Sequence, residues 1–452
     1  MNNKGVTIVL LFFLLCSCNH STHSVKDINC STLEVPISQE DSSGIFNSFF
    51  KLKRLVVLET KDESMIRWIS KIAFYNDNIF IMDRIEKKIF VFNENGNFLK
   101  SYHHYGQGPG EYISLADFTI KNDTLYLLDG LGARLLQYSL ADSLLGVQNV
   151  DKAEGVYLFS DRKFALNKKL GVADRNSDKL YCSYAFYDEG KKVHEKVPFN
   201  KHLCGYAFTH GEGANNFYVY GDSIFTLFPF NDTIYTVKND GDLNPYMVIK
   251  IGKEYICLDD DKKQVDKLRT EQIVSSIHAF YKWDKYLFFS YFYKDDPCKS
   301  VLVKDDCTIL YHGSLALDEN LLPIHTVAYD TDNAERLLLS VIRPFEILPI
   351  AKDRTGKSIV WDELSGRISE EGNPILVFYE PIFWRMVENI YQSDGKWNND
   401  VIMVGLIRVY LKGYTAIGGL RKCLSKIDWI VENGNSAYQL KKRHSIEEKL
   451  EK

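Results

Sequence analysis

His202, Cys204 and His210 lie within one short stretch, HLCGYAFTH. The first two would share a face of an extended strand, and the third follows in a glycine-flanked loop, THGEG. Zinc and copper accept imidazole and thiolate together. A fourth ligand is not evident, so the same three residues also fit an ordinary core or surface role. His103 and His104 are adjacent and would point to opposite faces of a strand, which does not suit one metal. Asp83, Asp129, Asn167 and Glu111 could converge on a divalent ion in a channel, where carboxylates would support hydrolysis. An aspartate after a strand equally accepts backbone hydrogen bonds in a turn. AKDRTGKS (Ala351–Ser358) imitates a phosphate loop with alanine at the first glycine. Lys357 and Ser358 would need a following helix to act on a nucleotide, and a turn between strands accounts for the string. No GxSxG, HExxH or CxxC is present, and no cofactor is implied.

YGQGPGEY (Tyr105–Tyr112) raises a different question. Three glycines and a proline suit a chain that turns sharply twice, with Gly106, Gly108 and Gly110 free to adopt positive φ and Pro109 fixing one corner. No helix follows that could hold a pyrophosphate, so this is not a dinucleotide loop. On the structural reading it is a connection between sheet units. On the functional reading, Gln107 and Glu111 face a ligand at a channel mouth.

The start of the chain speaks for compartment. Val6–Leu15 (VTIVLLFFLL), behind Lys4, is apolar but too short to span a bilayer, as in an export leader over residues 1–17. It ends in LCSC, which resembles a bacterial lipobox, with Cys18 as the lipidated residue and Cys16 as the less suitable alternative. Acyl chains on Cys18 would tie the chain to a membrane. No acidic cluster follows in NHSTHS (Asn19–Ser24), which favours the periplasmic face over the cell surface. Of nine cysteines, Cys16 and Cys18 belong to the leader and its lipobox; the odd remainder cannot all pair, and Cys298 with Cys307 could bridge a hairpin. The net charge of −5 gives no basic face, so nucleic acid is not an indicated partner.

The positioning elements read as strands. From about Phe49 to Phe378, short apolar or alternating runs are separated by Gly, Asn and Asp. NDNIFIMD (Asn76–Asp83) and NDTLYLLD (Asn122–Asp129) align without a gap. Echoes follow at Asp161–Asn167, Gly221–Phe228, Asp284–Phe292 and Ala334–Ile342. Six units of roughly 40–60 residues have the spacing of four-stranded propeller blades. A blade alone leaves both faces apolar, and a ring buries them. Leu52–Glu59 and Asn373–Glu380 are the runs that could meet to close it.

The stretch Ile79–Tyr112, with its GQGPGEY string, resembles the first blade of the six-bladed β-propeller lipoproteins of Bacteroidetes, relatives of NHL-repeat propellers. Phe230–Lys253 and GNPILVFYE resemble the same family's middle and closing segments. The resemblance implies an all-β, six-bladed propeller over residues 45–380, behind a tether at 18–44, in the cell envelope. It implies no particular chemistry. Beyond it, residues 381–452 hold 12 Lys and Arg against 8 Asp and Glu, with helical spacing at Asn399–Leu411 and Leu420–Val431, as in a C-terminal helical extension. Together these features point to a lipid-anchored, non-catalytic binding or scaffold module. Gln107, Glu111, Asp83 and Asp129 are its candidate ligand residues, and an envelope protein or glycan is its partner. The alternative is a metal-dependent hydrolase or lyase.

Overall fold

The fold is that of a computed structural model, which describes residues 31–37, 40–41, 43–168, 181–198, 215–228, 231–252, 277–293, 296–331, 336–354 and 359–382. Six antiparallel sheets form the six blades of a β-propeller. After β1 (Ser31–Val35) and β2 (Phe50–Val57), blade 1 comprises β3 (Lys71–Tyr75), β4 (Asn78–Asp83), β5 (Lys88–Asn93) and β6 (Phe98–Tyr102). Blade 2 comprises β7 (Leu115–Lys121), β8 (Thr124–Asp129), β9 (Arg134–Ser139) and β10 (Leu144–Asn149). Blade 3 holds β11 (Gly155–Ser160), β12 (Lys163–Asn167), β13 (Cys182–Asp188) and β14 (Lys191–Pro198). Blade 4 holds β15 (Phe217–Tyr220), β16 (Ser223–Thr226), β17 (Thr233–Val237) and β18 (Leu243–Ile251). Blade 5 holds β19 (Ile277–Trp283), β20 (Tyr286–Tyr293), β21 (Asp296–Lys304) and β22 (Ile309–Ser314). Each of the six repeat strands read from the sequence lies at the second strand of its blade.

The ring closes as the strand pattern requires. Blade 6 takes β23 (Thr326–Val327), β25 (Leu338–Ile342) and β26 (Ile375–Pro381) from the end of the chain and β2 from its beginning. A short β24 (Asp330–Thr331) continues from β23 and pairs parallel with β3, on the axis side of blade 1. Apolar faces pack between neighbouring blades: Phe80, Met82, Phe118 and Leu127 fill the seam between blades 1 and 2. Ile79, Ile81, Leu339 and Phe378 fill that between blades 1 and 6.

Several expectations change. Ser31–Val35, read as part of a tether, is a strand pairing parallel with β18 and covering the outer edge of blade 4. Ala351–Arg354, read within a turn between strands, ends helix α1 (Pro344–Arg354), which with α2 (Ile359–Ser365) is inserted between β25 and β26. Cys298 lies near the start of β21 and Cys307 in the turn beyond its far end. Six strand residues, about 20 Å, separate Cys298 from the end of β21, too far for a disulfide. His202, Cys204 and His210, and residues 383–452 with their two helical patterns, lie outside the described residues.

Candidate functional site

Every blade strand alternates direction, so the turn after a blade's second strand and the connection to the next blade share one end of the ring. The other two hairpins of each blade share the opposite end. In blades 1 and 2 the first of those polar hairpins turns on an Asn-Asp pair. Asn76 and Asp77 have φ of 46° and 59°, and Asn122 and Asp123 of 49° and 57°. This left-handed pair is what a two-residue hairpin needs, and short polar side chains tolerate it.

The connection end is different in character, and Asp83 and Asp129 shape it. Both are fully buried, and each is the last residue of its blade's second strand. Asp83 accepts Arg67 and Trp68 N–H at 2.7 and 3.1 Å through one oxygen, and Ile85 and Glu86 N–H at 2.8 and 3.1 Å through the other. Asp129 accepts Ile113 N–H at 3.3 Å through one oxygen, and Ser114 and Gly132 N–H at 3.0 Å through the other. Arg134 adds a contact at 2.8 Å. Each carboxylate thus ties the incoming connection to the blade's own turn. The side chains beside these amides, Trp68 with Ile85 and Ile113 with Leu131, are left exposed.

Among the described residues, the exposed large apolar side chains outside strands are Met65, Trp68, Ile85, Tyr105, Ile113, Leu131, Leu317 and Phe345. All eight lie in segments at the connection end. Two are capped by cations: Arg343 lies over the Trp68 ring at 6.0 Å and Lys87 over the Tyr105 ring at 3.4 Å. Exposed apolar groups gathered at one end of a monomer mark a contact surface more often than scattered ones do.

The loop Tyr105–Tyr112 lies at this end as a self-contained turn. Gly108 N–H donates to Glu111 Oε2 at 2.7 Å and Glu111 N–H to Gly108 oxygen at 3.1 Å. Arg134 and Tyr138 of blade 2 bond the Glu111 and Gly110 carbonyls. Glu111 is therefore folded back onto its own loop, while Gln107 is exposed. The glycines are not among the residues with positive φ; the space a β-carbon would take at Gly106 and Gly110 is instead filled by neighbouring side chains. A β-carbon on Gly106 would sit 2.0 Å from Glu111 Oε2, and one on Gly110 would meet Leu144 Cδ2 at 2.9 Å.

A second polar group, unread in the sequence, occupies the axis. Lys71 Nζ, buried at the start of β3, bonds Asp117 of blade 2 at 2.9 Å and Asp330 of β24 at 2.8 Å. Asp117 also accepts Val156 N–H of blade 3 at 2.9 Å, and Asp330 accepts Asn215 Nδ2 at 3.0 Å. Asn215 directly precedes blade 4, across the ring from blade 1. Burial works to lower the Lys71 pKa, but the charges of Asp117 and Asp330 outweigh it and hold the amine above its ordinary range. Sequence reasoning missed these residues because they come from distant parts of the chain, with no shared spacing. Among the described residues, no group of three or more His, Cys, Asp or Glu is placed to hold a metal.

The same fold occurs in a Bacteroides fragilis protein described as a candidate exported protein. That similarity covers 78% of this chain and 99% of the other, at 18% identity and a TM-score of 0.61. A Bacteroides vulgatus member of the DUF4221 family is matched over 74% and 98%, at 9% identity and a TM-score of 0.46. Virginiamycin B lyase from Staphylococcus aureus is matched over 64% and 81%, at 12% and 0.36, too slight a likeness to bear on function. No curated protein matches the chain. The sequence model of the domain of unknown function DUF4934 matches residues 32–380, from β1 to β26, and the chain belongs to that family.

Proposed function

We infer that this is a lipid-anchored propeller of the cell envelope that acts as a non-catalytic binding module for a protein partner. The observation that carries this reading is the contrast between the two ends of the ring. One end presents Trp68, Ile85, Ile113 and Leu131 on a backbone pinned by buried carboxylates, and the other presents polar hairpins. An apolar surface held on a rigid frame loses little entropy on binding. Trp68 with its flanking arginine has the character of an interface anchor. Its mixture of aliphatic and aromatic groups suits a polypeptide surface. The axis supports the same reading over a metal-dependent enzyme. There Lys71 neutralises charge that a divalent ion would otherwise draw on, and Asp83 and Asp129 spend their oxygens on backbone amides. The leader and Cys18 supply the anchor.

A photo-crosslinking residue placed at Trp68, Ile113 or Leu131 in the anchored chain tests the surface. The same discrete protein adduct is expected from all three positions and none from Asp222, in a hairpin of the opposite end. Adducts from Asp222 alone would refute the assignment. Labelled palmitate should enter the wild-type chain and not Cys18→Ser.

A further inference from the structure

The first described residues do not seal the ring, yet they are fastened to it. Closure is the work of β2, which completes blade 6. Ahead of β2, residues 31–41 form a strap across the rim of blades 4 and 5. β1 adds to β18 in parallel, Ser31 opposite Met247 through Val35 opposite Ile251, and Gly252 N–H donates to Val35 oxygen at 3.1 Å. Leu33 and Val35 share a buried cluster with Ile249 of blade 4 and Val303 of blade 5, and Ile37 packs against it. Glu40 pairs with Lys299. Asp41 clips β22, its N–H donating to His312 oxygen at 2.6 Å and its Oδ2 accepting His312 N–H at 3.0 Å. Beyond the strap, Phe46 is buried against Phe288 and Tyr311 of blade 5 and Tyr379 of blade 6.

The direction of β1 decides how such a strap is loaded. β18 is the fourth strand of its blade and runs towards the connection end, so β1, parallel to it, runs the same way. A pull on the chain ahead of Ser31 therefore draws β1 back along its own axis, away from that end. With the ring held at the connection end, the two forces oppose each other along the strands. The ladder is then sheared, its evenly spaced bonds strained together, and is not peeled bond by bond. The two forces are those of the anchor and the partner inferred above, and the inference rests on that reading.

We propose that residues 31–41 are a load-bearing strap that releases under tension while the ring stays sealed. The strap is the weaker element on the load path. β1 contributes five residues in parallel pairing, which is less stable per residue than antiparallel, and buries two side chains. Behind it stand the buried Phe46 and the eight residues of β2 within blade 6. Release frees the chain as far as Phe46. It lengthens the tether by no more than about 50 Å, the fully extended length of residues 31–45. The anchored propeller thus follows a moving partner without opening at its closure.

Optical tweezers read the outcome on the full chain from residue 18 onward, with one handle at residue 18 and the other at Leu131 on the connection end. Two separate events are expected. The first is a lengthening of no more than about 50 Å that reverses on relaxation, and the second, at higher force, is the opening of the ring. Val35→Asp, which sets a charge in the buried cluster, should remove the first event and leave the second unchanged. Asp41→Ala, which loses the side-chain half of the clip on β22, should lower the force of the first event. A single rupture in which strap and ring give way together would overturn the proposal. So would a first event indifferent to both substitutions. The pull needs neither membrane nor partner, so palmitate labelling and the Trp68 crosslink judge the anchor and the surface separately.

Discussion

At the scale of single residues, the buried carboxylates do the positioning. Asp83 uses both oxygens on four backbone amides, so its exchange for an amide is not conservative. Asp83→Asn turns an NH2 group towards two N–H donors. Chemical denaturation should show a loss of about 2–3 kcal/mol. The Trp68 crosslink should weaken with it, because the same amides fix both turns. Lys71 is held between Asp117 and Asp330, and Lys71→Met leaves the nearly fully buried Asp117 uncompensated. That variant should lose about 3–5 kcal/mol. The amine's raised folded-state pKa gives the sign with pH. Its stabilisation is complete below the unfolded lysine value near 10.4 and is lost as pH climbs towards the higher folded value. Melting curves from about pH 9 to 12 should therefore fall more steeply for the wild type than for Lys71→Met. Parallel curves would show that Lys71 does not govern alkaline stability.

At the scale of elements, the Tyr105–Tyr112 loop shows glycine used for space and not for backbone angle. The Gly106 site is filled by the Glu111 carboxylate, which Gly108 N–H holds in place. Gly106→Ala should cost about 1–3 kcal/mol by displacing that carboxylate. In a Glu111→Ala background the same change should be close to neutral, since the colliding group is gone. Equal costs in both backgrounds, measured by denaturant midpoints, would show that backbone angle matters after all. His104, just before the loop, stacks on Tyr138 at 4.2 Å and reaches Asp142 at 2.7 Å. Its partners lie in blade 2, so the loop fastens one blade's rim to the next.

At the scale of the whole molecule, stability depends on sealing the ring. Asn373, buried just before β26, links the end of the chain to its beginning. Its Oδ1 accepts Ile66 N–H at 2.9 Å, and its Nδ2 donates to the Glu59 and Ser64 carbonyls at 2.8 Å. Asn373→Ala strands these groups inside the closure and should cost about 3 kcal/mol. Proteolysis should then begin near β2, since that strand is contributed to blade 6 from a distant part of the chain. First cleavage elsewhere would place the weak point away from the closure.

The six recurring short apolar strand runs, and the strand-like runs at the two ends of the repeat region, determined the six blades and the pairing of the first and last strands. These are local preferences that a ring only has to satisfy together. The GQGPGEY loop was legible as a connection, but not what its glycines face: the Glu111 carboxylate at Gly106 and Gly108, and Leu144 with Tyr138 at Gly110. Tertiary structure alone decided the rest. Lys71, Asp117, Asn215 and Asp330 meet because blades converge on an axis, and no spacing along a chain encodes that convergence. The apolar end exists for the same reason: Trp68 and Ile85, or Ile113 and Leu131, become neighbours only when one buried carboxylate binds amides from two separate segments.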